Sequence, residues 1–230
     1  MATTVAGAAT STVAVPTTAA AAALPWLTPP TETGGPFPAD GSNQNGAGGL
    51  ANVLDKPAVF RTDMTTDLDG SNRVTGIPLA LRIKVGHGVD RSPFAGAAVY
   101  VWHCDVDGHY SAYSGGMNGG DYAARSYLRA VGVTDADGTV RFTSVLPGRY
   151  QGRASHIHFA VFSDRSLAKG LLTSQFAFDD AEVDALYASN PAGRAGRAGP
   201  AVRYRALPCA VSSPGPNSPS TRTGSCGPSV

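Results

Sequence analysis

Hydrophobic and polar positions alternate through the middle of the chain in short runs. In "PLALRIKV", Leu79, Leu81, Ile83 and Val85 face one way while Arg82 and Lys84 face the other. That period of two is the signature of a strand with one buried face. "AAVYVWHC" (97–104), "YLRAVGV" (127–133), "TVRFTSV" (139–145) and "SHIHFAVF" (155–162) read as further strands. The turn-forming stretches "DVDGHY", "TDADG" and "LPGRY" separate them. The rhythm predicts an all-β antiparallel sandwich with hairpin links, the turn "TDADG" lying between "YLRAVGV" and "TVRFTSV". "DDAEVDALYAS" predicts one short helix, capped by Asp179 or Asp180.

The flanks break this pattern. Residues 1–27 are low-complexity Ala, Thr, Val and Pro, and residues 28–49 are Pro/Gly/Asn-rich irregular chain. The expected domain covers 28–207, and the Ser/Pro/Gly-rich tail 208–230 is expected to lack order.

Composition narrows the function. The 230 residues suffice for one domain with a real core. A formal net charge of +1 excludes a general nucleic-acid binder, which needs a basic stripe. No apolar run approaches the ~20 residues that cross a bilayer as a helix, so no membrane role is expected. No Lys or Arg precedes Lys56, so the basic start of an export leader is missing. An exported chain whose leader has been removed is the expectation over a cytosolic one. Cys209 and Cys226 could pair in an oxidising compartment, and Cys104 reads as a buried thiol. The sequence does not specify an oligomeric state.

"GRYQGRASHIHF" carries the chemistry. His156 and His158 lie two apart on a strand that looks buried, so both imidazoles point to the same face. Each buried imidazole needs partners for its ring nitrogens, and a pair doubles that demand. A metal resolves it, because neutral imidazole is a common metal ligand. Zinc would call for further His, Cys or carboxylate ligands, and a ferrous site for a carboxylate. Asp105 and Asp107 are available, but their "DVDG" setting reads as a turn. Tyr150 lies just upstream and Tyr110 ends another strand-turn unit. Phenolate is a hard anionic donor that suits ferric iron, although spacing alone does not select it. A sandwich that merely binds or spaces, of the prealbumin-like kind, remains the alternative.

"GAAVYVWHCDVDGHYSAYS", "YLRAVGVTDADGTVRFTSVLPGRYQGRASHIHF", "LTSQFAF" and the upstream "LTPPTETGGPFPADG" resemble the intradiol ring-cleavage dioxygenases, the family of catechol 1,2-dioxygenase and protocatechuate 3,4-dioxygenase. The likeness runs from about Leu27 to Ser189. It implies a prealbumin-like antiparallel β-sandwich, non-haem Fe(III) held by Tyr110, Tyr150, His156 and His158, and Arg153 and Gln175 in the active site. Tyr150 is then the phenolate that leaves the metal and takes a substrate proton. The implied reaction opens a catechol between its hydroxylated carbons with O2, giving a cis,cis-muconate. "LRA" stands where the family usually has "LRG", and Arg149 precedes Tyr150 where a bulky or thiol residue is common. The short Tyr150-to-His156 segment is a third departure. These bear on substrate preference rather than on iron.

Overall fold

The computed structural model describes residues 28–150 and 152–190, together with the backbone of strands at 202–205 and 209–211. In chain order the strands are β1 (Asp40–Gln44), β2 (Leu50–Asn52), β3 (Pro78–His87), β4 (Ala98–Trp102), β5 (Ser114–Gly115) and β6 (Gly120–Asp121). They continue as β7 (Arg129–Val133), β8 (Thr139–Val145), β9 (His156–Phe162) and β10 (Gly170–Ala177). Helix α1 (Asp180–Ser189) precedes β11 (Val202–Arg205) and β12 (Cys209–Val211).

Among the described residues, two sheets face each other. One has the order β10-β9-β4-β7; in the other β3 is flanked by β8 on one side and by β11 and β12. The fold is thus the expected β-sandwich. Its core forms where the alternating apolar sets meet. Leu79, Leu81, Ile83 and Val85 of β3, with Val140 and Phe142 of β8, pack against Val99 and Val101 of β4 and Ile157, Phe159 and Val161 of β9. Phe159 stacks on Phe176 of β10 at 4.3 Å between ring centres. Helix α1 starts as predicted: the Asp179 side chain accepts from the Glu182 backbone N–H. No helix among the described residues is long and apolar enough to cross a membrane.

Two expectations change. The segments on either side of "TDADG" do not form a hairpin. The turn is tight, with the Gly138 N–H donating to the Asp135 carbonyl, but β7 pairs with β4 while β8 pairs with β3. The chain changes sheets there. Gly132 makes the crossing possible, since a Cβ at that position would lie 2.4 Å from Val140 and 2.8 Å from the Phe142 ring. Order also extends past the expected domain end, because β12 (Cys209–Val211) pairs parallel with β3, as β11 does. The low-complexity segment 1–27, most of the tail and the Cys209–Cys226 pairing lie outside the described residues. Cys104 is a free, buried cysteine.

The first sheet has a second apolar layer on its outer face. Ala98, Tyr100 and Trp102 of β4 meet Phe37, Ala39, Tyr110 and Tyr113 from the loops. Strand β9 is therefore buried on both faces, which is why it reads as a continuous apolar run.

Phe159 is fully buried at the centre of the core. Phe159→Ala is expected to lower folding stability by about 3–5 kcal/mol, read as a reduced urea midpoint. An unchanged midpoint would show that the two sheets are not held by this contact.

Candidate metal centre

The outer face of β9 presents His156 and His158 to the second layer. Register places Trp102 of β4 and Gln175 of β10 on either side of His158. The Trp102 indole stacks flat on the His158 imidazole, 4.9 Å between centres and 4° between planes. Against the same ring lies Gly35, at φ +69; a Cβ there would come within 3.2 Å of His158 Nε2. The His156 ring is turned by its Nδ1–H, which donates to the Ala154 carbonyl at 2.7 Å. That bond leaves the lone pair on Nε2.

Tyr110 arrives from the loop after β4. The expected turn is present: the Asp105 carboxylate accepts from the Asp107 and His109 backbone N–H groups. Asn118 then fixes Tyr110 on both sides, its Oδ1 accepting from the Tyr110 N–H at 2.7 Å and its Nδ2 donating to the Tyr110 carbonyl at 2.9 Å. Phe37 stacks on the Tyr110 ring at 4.8 Å. The loop carrying Phe37 is clamped by Arg129, a fully buried guanidinium bonded to the Phe37, Pro38 and Ser111 carbonyls, the Ser111 hydroxyl and the Tyr100 hydroxyl.

These elements bring three donors together. Tyr110 Oη lies 3.3 Å from His156 Nε2, which lies 3.2 Å from His158 Nε2. Tyr150, half-buried, stands edge-on to both the Tyr110 and His156 rings, each 5.6 Å between centres. All four predicted ligands thus share one site. Arg153 and Gln175 are there too: Arg153 reaches Tyr150 Oη at 3.5 Å and donates to Gln175 Oε1 at 2.8 Å. The Gln175 amide donates in turn to the Glu32 carboxylate. His109 and Tyr113 are packing residues, stacked on Tyr122 and bonded to Asn43 respectively.

The electrostatics suit a cation. Burial drives the His156 pKa down and His158 down to about 2, with the neighbouring imidazole adding to the latter. Burial also raises the Tyr110 phenol well above its usual value, Cys104 and Tyr150 contributing. The cluster is therefore neutral and rich in lone pairs. The buried Nδ1 of His158 has no hydrogen-bond partner among the described atoms, so the protein has not closed the hydrogen bonding of this ring. Two donors that each sit ~2.0–2.1 Å from one cation stand roughly 3–3.4 Å apart, which matches the observed separations. Among the described residues no three His, Cys, Asp or Glu side chains gather to hold a metal. Among the described residues the side chains beside the His pair that offer oxygen are the Tyr110 and Tyr150 phenols, and such a donor set fits a hard trivalent cation.

Sequence reasoning missed Glu32, Gly35, Phe37, Asn118 and Arg129. Arg129 carried a signal, a charge inside the apolar run "YLRAVGV". Glu32, Gly35 and Phe37 act through contacts far apart in sequence, whereas Asn118 bonds Tyr110 within one loop.

The family model described as Dioxygenase matches residues 55–192. The chain belongs to the intradiol ring-cleavage dioxygenase family. A catechol 1,2-dioxygenase of Acinetobacter lwoffii is 31% identical over 107 residues, 39% of this chain and 32% of that protein. The chain thus spans about a third of the length of this curated relative. An intradiol ring-cleavage dioxygenase from Tetranychus urticae is 26% identical at a TM-score of 0.48, covering 57% of this chain and 63% of that one. The dioxygenase domain of a dioxygenase and carbohydrate-binding fusion from Streptomyces sp. SirexAA-E is 20% identical at a TM-score of 0.44, covering 81% and 95%.

The depressed histidines have a consequence for the metal-free protein. His103, bonded to the Cys104 carbonyl and Ser144, is also pushed down by burial, to about 4. Unfolded imidazoles titrate near ~6.5, so below that pH the unfolded chain binds protons that the folded chain refuses. Stability is present above about pH 6.5 and is lost as the pH falls. The urea midpoint of chelator-treated protein is expected to drop between pH 7 and pH 5. A flat midpoint over that window would mean that the imidazoles are not held neutral.

Proposed function

We propose that Tyr110, Tyr150, His156 and His158 hold a non-haem ferric ion, and that the protein uses it to cleave catechols between their hydroxylated carbons. The approach of Tyr110 Oη at 3.3 Å and His158 Nε2 at 3.2 Å to His156 Nε2 carries this reading. A module that only binds or spaces gains nothing from burying two imidazoles against a phenol with His158 Nδ1 left unpartnered. Ligation supplies the charge that ionises Tyr110 against its burial.

Bound there, a ferric ion would supply the Lewis-acid charge for a reaction between a catechol and O2. The chain's residues divide the remaining work. Tyr110 is fully buried and pinned by Asn118, so it is the phenolate that stays in place. Tyr150 is half-buried, with its Oη beside Arg153, so it is the phenolate that can swing away and take a catechol proton on Oη. His156 is held in one tautomer by Ala154, and His158 is held flat by Trp102. Arg153 lays a permanent positive charge where the ring becomes anionic, and Gln175 orients its guanidinium. The product is a cis,cis-muconate. The catechol and O2 are the expected partners. An extracellular location belongs to the same proposal.

The direct test is product analysis. Iron-loaded protein with catechol is expected to consume one O2 per ring and release cis,cis-muconate, both new oxygens coming from O2. Cleavage outside the two hydroxylated carbons, or none by iron-replete protein, would overturn the assignment. His158→Ala should lose iron while the sandwich still folds. Arg153→Gln should keep iron and slow turnover by roughly 10²–10³-fold, with a smaller effect on substrate binding. Near-normal kcat in that variant would remove Arg153 from the chemistry.

A further inference from the structure

The Arg153–Gln175 pair ends on a carboxylate. Gln175 accepts from Arg153 on Oε1 and donates from Nε2 to Glu32, so one amide separates the guanidinium from a negative charge. Glu32 is fixed there by its backbone, whose N–H donates to the Thr173 carbonyl at 2.8 Å, laying residue 32 along the free edge of β10. The side chain is half-buried, so water only partly screens it. Behind it opens a cleft of about 290 Å³ on the outer face of the same sheet, lined by Glu32, Asp40, Thr31, Thr173 and Trp102 among others, with no Lys, Arg or His in its walls. Trp102 joins this cleft to the metal centre, because its ring is the one stacked on His158.

We infer that Glu32 is a specificity-determining residue whose carboxylate, bound to Gln175, turns the pocket against catechols carrying an anionic ring substituent and leaves uncharged catechols as its substrate class. The inference rests on the ferric catechol reading above. A catechol bound at the four ligands places its ring within reach of Arg153, which taken alone would attract a ring carboxylate. Glu32 offsets that attraction, and the acidic walls behind it supply no second cation. Discrimination of this kind is repulsive, excluding the wrong ring by like charge rather than gripping the right one.

Glu32→Gln separates charge from shape, since the new amide oxygen can still accept from Gln175. Dissociation constants for catechol and protocatechuate, measured without O2 from the visible spectrum, give a readout independent of turnover; kcat/KM for both in air gives the second. The expected result is a roughly tenfold rise in the preference for protocatechuate relative to catechol, residing in its dissociation constant and KM rather than in kcat. Glu32→Asp keeps the charge and should keep the wild-type preference. An iron-replete Glu32→Gln protein whose affinities for the two rings change equally, or not at all, overturns this inference alone. Wild-type protein that holds no iron and binds neither ring overturns the ferric reading, and this inference with it.

Discussion

Two imidazoles buried side by side on a strand need a partner for each ring nitrogen. His156 Nε2 and His158 Nε2 face each other at 3.2 Å, in surroundings that keep both rings neutral. Most of the surrounding structure can be read as support for that arrangement. The inner face of β9 is packed into the sandwich by Ile157, Phe159 and Val161, which gives the outer face a rigid base. Trp102 and Gly35 hold one ring, the Ala154 carbonyl turns the other, and Asn118 delivers the nearest phenol. Strand register and packed rings place the two histidines, while loops fastened by Asn118 and Arg129 place Tyr110.

Arg129 links the fold to the site. A buried cation without a carboxylate would be costly unless every donor were met. Its five N–H groups all have acceptors, and those belong to Phe37, Pro38, Tyr100 and Ser111. The same bonds fasten the segment that covers Tyr110 and the residue that follows it. One side chain of β7 thereby ties the N-terminal loop, β4 and the Tyr110 loop together.

The strands, the helix cap and the histidine-bearing face of β9 were legible because each follows from local periodicity or from turn chemistry. Strand pairing was not. Alternation tells which residues of "TVRFTSV" point inward, but an inward face looks the same in either sheet, so the change of sheet after Val133 left no local mark except Gly132. The second layer was hidden for a related reason. Glu32 meets Gln175, and Phe37 meets Tyr110, across long stretches of chain whose juxtaposition only the fold creates. Composition likewise gave no sign that Cys209–Val211 would add to β3, since backbone pairing along an open edge asks little of side chains. The four ligand candidates were found together only through the resemblance; spacing alone pointed to the histidines.

The central claim is that phenol oxygens complete the His156–His158 pair around ferric iron. The visible spectrum of purified protein reconstituted with Fe(III), measured beside its iron content, tests this most directly. The account predicts one iron per chain and a red to purple tyrosinate-to-iron charge-transfer band that vanishes in the Tyr110→Phe, Tyr150→Phe double variant. A protein that stays colourless after reconstitution, or whose colour survives loss of both tyrosines, would contradict it.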